Sequence, residues 1–188
     1  MISKSFTQDW TSEHTSGWLQ MLGHMRNQPA TGLEIGCYEG RSSCWFLDNI
    51  LSHQGSSLTV IDTFLGSPEN DGTLPAFGLR AAFDHNMGCN RLKRTTVLPG
   101  TSLDMLCQLH RQSASFDFIY VDGSHVAADV LTDSVLSWPL AKPGAVVIFD
   151  DYLWPAVGTA EDALLTKQER PGSAIDAFLD IFHGRWRL

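Results

Sequence analysis

The sequence predicts a doubly wound α/β domain, a mostly parallel sheet with helices on both faces, and three observations carry that reading. Short β-branched apolar runs alternate with stretches of helical composition through most of the chain, the pattern of right-handed βαβ units. Two of these runs, Phe116–Asp122 and Ala145–Asp150, are almost continuously apolar, as strands covered on both faces are. Polar punctuation falls where strands stop: Glu34 and Gly36 close the first run, Asp62 the second, Asp122 the fourth and Asp150–Asp151 the fifth. Ligands of such sheets bind beyond the carboxyl ends of the strands, so these are the informative positions.

In chain order, Trp18, Leu19, Met21, Leu22 and Met25 recur at helical spacing and predict a helix over Ser12–Arg26, its Trp and Met stripe serving core packing. Strands are expected at Thr31–Gly36, Leu58–Asp62, Thr95–Leu98, Phe116–Asp122 and Ala145–Asp150. Between them helices are expected at Ser42–Ser52, Phe77–Cys89, Ser102–Arg111 and Ala127–Trp138. A last helix is expected at Ile175–Phe182, leaving Arg185–Leu188 to begin a further strand. Leu65–Lys93 is longer than a minimal crossover needs, which suits a lid or an oligomer contact. Asp129 and Asp133, one helical turn apart, read as a solvated face.

A chain of 188 residues makes one domain of ordinary size. The expected division is an N-terminal helical segment (1–30), a ligand-binding core (31–154) and a C-terminal segment (155–188). Thirteen Lys and Arg against 21 Asp and Glu give a formal charge of −8, which argues against a nucleic-acid partner, since such proteins present a basic face. No apolar run approaches the roughly 18 residues of a membrane span, and the opening residues, MISKSFTQDWTSEH, lack a signal-peptide core. The expectation is a cytoplasmic protein with no membrane partner. Cys37, Cys44, Cys89 and Cys107 form no C-x-x-C pair and read as small hydrophobes.

LEIGCYEGRSS, Leu33 to Ser43, follows a strand and opens a helix. Gly36 and Gly40 allow a tight turn and close approach of a ligand. A dinucleotide loop carries a middle glycine beside the pyrophosphate. Here Tyr38 stands in that place and Glu34 adds a negative charge. A cofactor with an amino group, a sulfonium and no phosphate suits the loop better, and S-adenosylmethionine answers that description. Asp62 is placed to accept hydrogen bonds from ribose hydroxyls, or to cap a turn. Gly100, Thr101 and Ser102 follow the third strand, facing an adenine edge or capping the next helix.

YVDGSH and VIFDDY end strands expected to be neighbours, about 4.8 Å apart. Asp122, Asp150 and Asp151 would then crowd into one small volume, raising one another's pKa. A hard divalent cation such as Mg²⁺ relieves that crowding. His125, three residues beyond Asp122, is positioned to act as general base or to cap the next helix. Trp10, His14, Tyr152 and Trp154 are aromatic candidates for substrate walls.

Together, E-x-G-x-Y-x-G-x-S at Glu34–Ser42, Asp62, and the set Asp122, Asp150 and Asp151 resemble the class I S-adenosylmethionine-dependent O-methyltransferases. The similarity is to their metal-dependent branch, which includes catechol and antibiotic-sugar O-methyltransferases, and it covers roughly Leu33–Trp154. It implies a Rossmann-like sheet in the order 3-2-1-4-5 with a C-terminal 7-6 hairpin, for which this chain leaves only the start of a sixth strand. It also implies that Gly36, Tyr38, Gly40 and Ser42 hold the methionine part of S-adenosylmethionine, with Glu34 among the cofactor-binding residues, Asp62 at the ribose and Ser102 at the adenine. Asp122 would serve both the cofactor and, with Asp150 and Asp151, Mg²⁺. The catechol enzyme ends its triad Asp-Asn where this chain has Asp-Asp, and has a lysine base where this chain has His125.

The function expected is methyl transfer to a hydroxyl of a sugar or phenol-type small molecule. The alternatives are a metal-independent methyltransferase on the same fold and a non-catalytic cofactor-binding scaffold. A homo-oligomer, a dimer in the first place, is the expected assembly, because a bare edge strand invites pairing.

Overall fold

The computed structural model describes residues 4–66, 75, 77–155 and 166–187. Its strands are β1 (Thr31–Ile35), β2 (Ser57–Asp62), β3 (Thr95–Pro99), β4 (Phe116–Val121) and β5 (Ala141–Phe149). They pair in parallel in the order β3-β2-β1-β4-β5. The helices are α1 (Thr15–Leu22), α2 (Arg41–Asn49), α3 (Leu79–Leu92), α4 (Ser102–Arg111), α5 (Ala127–Ser137) and α6 (Pro171–Ile181).

Side chains alternate across the sheet, so each strand supplies two cores. Leu58, Val60, Phe118 and Tyr120 pack with Trp18, Leu22, Phe46, Leu47 and Phe83 from α1, α2 and α3. Leu33, Ile35, Ile61, Ile119 and Val121 pack on the other face with Leu106 and Leu109 of α4 and with Leu140. Among the apolar residues of the N-terminal stripe, Trp18, Leu22 and Met25 are buried whereas Leu19 and Met21 are exposed. Cys37 and Cys44 are buried; Cys89 is exposed.

Boundaries differ from expectation where side chains or glycines intervene. α1 begins at Thr15 because Asp9 Oδ1 accepts the backbone N–H groups of Thr11 (3.3 Å) and Ser12 (3.0 Å), holding that stretch in a turn. α3 bends at Gly88, whose φ is 61°. β5 begins at Ala141 rather than Ala145: Phe116 pairs with Ala141 and Phe118 with Val146, so Lys142–Ala145 loops out opposite Asp117. Lys142 Nζ secures that excursion on Asp117 Oδ2 (2.8 Å) and Thr31 Oγ1 (3.2 Å). Pro143 and Gly144 hid the paired Ala141 from a pattern reading.

Two expectations are corrected. Arg185–Arg187 form no strand, so the expected sixth strand is not begun by them, and Leu188 lies outside the described residues. Asp133 does not sit on a solvated face: it is 1% exposed, turned inward beside Gly123, while Asp129 is exposed. Part of the long Leu65–Lys93 segment, with its suggested lid, also lies outside the described residues. Among the described residues no helix is long and apolar enough to cross a membrane.

Candidate functional site

The register of the sheet builds the site. Ile35 pairs with both Ile61 and Val121, and Val121 with Phe149. One residue further on, the ladder continues: Gly36 N–H donates to Ile61 O (2.9 Å), Asp122 N–H to Ile35 O (2.8 Å) and Asp150 N–H to Val121 O (3.0 Å). Asp62, Gly36, Asp122 and Asp150 therefore form one row across the carboxyl edge of the sheet. The row below it on the same face, two residues back, reads Val60, Glu34, Tyr120 and Ile148. A Cβ at Gly36 would lie 1.9 Å from the Asp122 carbonyl oxygen. Only glycine lets β1 turn away here, between Asp62 and Asp122 in the row.

The loop after β1 is held by acids from below and beside it. Gly36, Tyr38 and Gly40 all have positive φ (84°, 46° and 79°), and for Tyr38 that conformation costs on the order of 1 kcal/mol. Asp62 offsets the cost: its Oδ2 accepts the N–H groups of Cys37 (2.8 Å) and Tyr38 (2.9 Å), and its Oδ1 that of Phe64 (2.6 Å). Glu34 is fully buried, and its two carboxylate oxygens accept the hydroxyls of Ser42 and Ser43 at the start of α2. Burial pushes the Glu34 carboxyl up to about 7, against the pull of the two hydroxyls. Tyr38 Oη is buried and has no hydrogen-bond partner among the described residues.

The N-terminal segment forms a strap across this loop. Thr7 N–H donates to Glu39 Oε2 (2.7 Å), and Ser5 exchanges hydrogen bonds with the Asn86 amide (2.7 and 2.9 Å). Arg41 pairs with Asp9 and lies 5.0 Å from the Phe6 ring centre. The Trp10 ring packs on Tyr38 at 5.3 Å.

The acidic corner lies at the other end of the row. Tyr120 Oη is 3.0 Å from Asp122 Oδ2 and 2.5 Å from Asp150 Oδ2. One hydroxyl proton thus faces two carboxylates. Removal from water, then the charges of Asp150 and Asp151, hold the Asp122 carboxyl well above the usual carboxylate range. Burial and the same neighbouring carboxylates, Asp122 and Asp150, push the Tyr120 phenol far up, so it remains a hydrogen-bond donor. Asp151, at φ 57°, reaches His125 Nε2 with its Oδ2 at 3.1 Å. The His125 ring stacks on Trp154 at 4.2 Å. From α1's N-terminus, His14 Nε2 stands 4.0 Å from Asp150 Oδ1 and its ring stacks on Trp18.

The structure therefore brings Gly36, Asp62, Asp122 and Asp150 into one row, with Asp151 and His125 beside it. Ser102 opens α4 after Thr101, whose hydroxyl accepts the Asp104 N–H (3.2 Å), so the cap is Thr101. Burial raises the Asp133 carboxyl to about 6, with Ser102 pulling the other way, and Asp133 Oδ1 has no hydrogen-bond partner among the described residues. Among the described residues no three His, Cys, Asp or Glu side chains already converge as a cation would need. Oxygens of Asp122 and Asp150 are turned to Tyr120, and one of Asp151 to His125. The donor set still suits a hard cation, being all carboxylate and mutually repelling. Tyr120 escaped the sequence reading. Its signal was position: two residues before Asp122, on the same strand face.

Residues 33–152 match the family described as "Methyltransferase domain". The chain belongs to that family. No curated protein matches the sequence. Among solved structures, the methyltransferase domain is similar to MycE methyltransferase from the mycinamycin biosynthetic pathway, in complex with Mg and SAH, at 19% identity and TM-score 0.63, over 95% of this chain and 46% of that one. It thus spans under half of that protein's length. CalS11, a TDP-rhamnose 3'-O-methyltransferase of calicheamicin biosynthesis, aligns at 17% identity and TM-score 0.58, over 95% of this chain and 76% of that one. Cofactor-bound Rv0187 from MTB aligns at 17% identity and TM-score 0.62, over 94% and 70%. These likenesses bear on the fold.

Proposed function

We propose that the methyltransferase domain moves a methyl group from S-adenosylmethionine to a hydroxyl of a small molecule, of sugar or phenol type, with Mg²⁺ at Asp122, Asp150 and Asp151. One observation carries the reading: a glycine-opened loop and a crowded acidic corner share a single row of the sheet. The likeness to MycE, solved with Mg and SAH, and to CalS11, a TDP-rhamnose 3'-O-methyltransferase, supports it.

In this reading Gly36, Tyr38, Gly40 and Ser42 border the methionine part of the cofactor, with Glu34 anchoring Ser42 from below. Asp62 accepts ribose hydroxyls while bracing the loop, and Ser102 borders the adenine. Mg²⁺, held by the three aspartates, would supply the positive charge that lowers the pKa of a substrate hydroxyl and fixes its aim. His125 takes the proton from that hydroxyl, its ring set by Asp151 and by the Trp154 face. His14, Trp10, Tyr152 and Trp154 supply walls that keep water from the reacting atoms. In-line alignment of hydroxyl and methyl contributes much of the rate gain. A second copy along the open outer edge of β5 is the expected partner, which light scattering would detect as a doubled mass.

A second reading, metal-independent transfer with His125 alone as base, is favoured by the lack of an already convergent ligand set among the described residues. Calorimetric titration with S-adenosylhomocysteine and then Mg²⁺ separates the readings. Absence of cofactor heat overturns both. Cofactor binding, with activity indifferent to Mg²⁺ and to Asp150→Asn plus Asp151→Asn, leaves the second.

A further inference from the structure

Tyr120 stands out as a buried polar side chain that methyl transfer itself does not use. It is 2% exposed in a strand otherwise apolar on that face, wedged against Trp18 at 5.2 Å and Phe46 at 5.5 Å. These rings fix its phenol in the row directly beneath the acidic corner. From there the hydroxyl rises to Asp122 on its own strand (3.0 Å) and to Asp150 on the next strand (2.5 Å).

We propose that Tyr120 is a positioning residue for the cation site, its hydroxyl bridging Asp122 and Asp150 so that both carboxylates stand in the rotamers that receive a divalent ion. The inference rests on the metal reading above. The bridge engages the Oδ2 atom of each aspartate and leaves each Oδ1 to the site. Carboxylates that bind metals are themselves held by hydrogen bonds, and loss of such a partner typically weakens metal affinity 10- to 100-fold. Without the hydroxyl, nothing described lies between two like charges on adjacent strands, and they would rotate apart. A rigid phenol is suited to this because its reach is fixed by ring packing rather than by flexible torsions. Its neighbour across the sheet, Glu34, cannot do the same, since Ser42 and Ser43 occupy both its oxygens.

The test is calorimetry of Mg²⁺ binding to the full chain saturated with S-adenosylhomocysteine, for the native protein and for Tyr120→Phe, which keeps the packed ring. The expected result is a Mg²⁺ Kd raised by roughly 10- to 100-fold with the Kd for S-adenosylhomocysteine changed less than about twofold. Trp18→Phe, which alters the packing under the ring and leaves the hydroxyl, should lower the melting temperature and keep the Mg²⁺ Kd. Unchanged or tighter Mg²⁺ binding by Tyr120→Phe, beside normal binding by the native protein, overturns this inference alone. No Mg²⁺ binding by the native protein overturns it together with the metal reading. If Tyr120→Phe does not fold, the buried hydroxyl proton of native Tyr120 is followed by NMR during Mg²⁺ titration. Its persistence with a shifted resonance supports the bridge, and its loss means the cation displaces the phenol and overturns it.

Discussion

The loop after β1 and the corner after β4 and β5 occupy the same row of the sheet, yet their acids live under opposite conditions. Asp62 has three backbone N–H donors and Glu34 two hydroxyls. Asp122 and Asp150 share a single phenolic proton. The loop after β1 is thus braced by the chain's own donors. The acidic side is short of donors, which suits the cation proposed there. In one row, the acid with enough donors braces the loop, and the acids short of donors are the ones proposed to take a cation.

The largest expected effect comes from removing an acid on the incomplete side. Asp122→Asn should cost about 4 kcal/mol in the activation barrier, roughly 10³-fold in kcat/KM, with little loss of stability because the crowding it relieves was unfavourable. Steady-state kinetics beside urea melts checks both halves. A stability loss as large as the activity loss would erase the contrast between the two regions.

Next is Gly36→Ala, which places a methyl against the Asp122 carbonyl at the junction of the two regions. About 3 kcal/mol of destabilisation is expected, read from denaturant midpoints. Asp62→Asn should cost about 2 kcal/mol, since an amide offers one acceptor oxygen where the loop uses two. Unlike Asp122→Asn, it should lower stability and S-adenosylhomocysteine affinity together.

The most gradual effect concerns pH. Glu34 is raised from its ordinary 4.5 to about 7, and Asp133 from 3.8 to about 6, both by burial. The folded chain therefore binds more protons than the unfolded one across that window. Stability is greater at the acid end and falls as pH rises from about 4.5 to 7. Glu34→Gln should remove up to about 1.4 kcal/mol per pH unit of that fall, measured by melts at pH 5, 6 and 7. An unchanged slope would mean that the Glu34 carboxylate does not titrate in this range.

Much of this row was readable from the chain itself. Strand ends at Gly36, Asp62, Asp122 and Asp150 follow from apolar runs meeting polar residues, a pattern local in sequence. The strand order came with the resemblance, and residues 33–152 match the methyltransferase-domain family. Hidden features depended on what packs against what. Asp133 looks solvated by helical spacing and is buried because α4 and Gly123 cover it. Tyr120 reads as one more apolar strand residue until its register beside Asp150 is known. Ala141 was masked by Pro143 and Gly144, since a looped-out excursion has no periodic signature.

The strap over the loop after β1 bears on the order in which the protein forms. The hydrogen bonds between Ser5 and Asn86 join residues 81 apart in sequence, whereas the clamp of Asp62 on Cys37 spans 25. Closing the longer segment costs more chain entropy and delivers few contacts until α2 and α3 are already docked. The clamp of Asp62 on the loop after β1 therefore forms before the N-terminal strap is laid across it. A refolding chain should regain its cooperative core signal before Trp10 reaches Tyr38, a sequence that stopped-flow fluorescence of Trp10 would time.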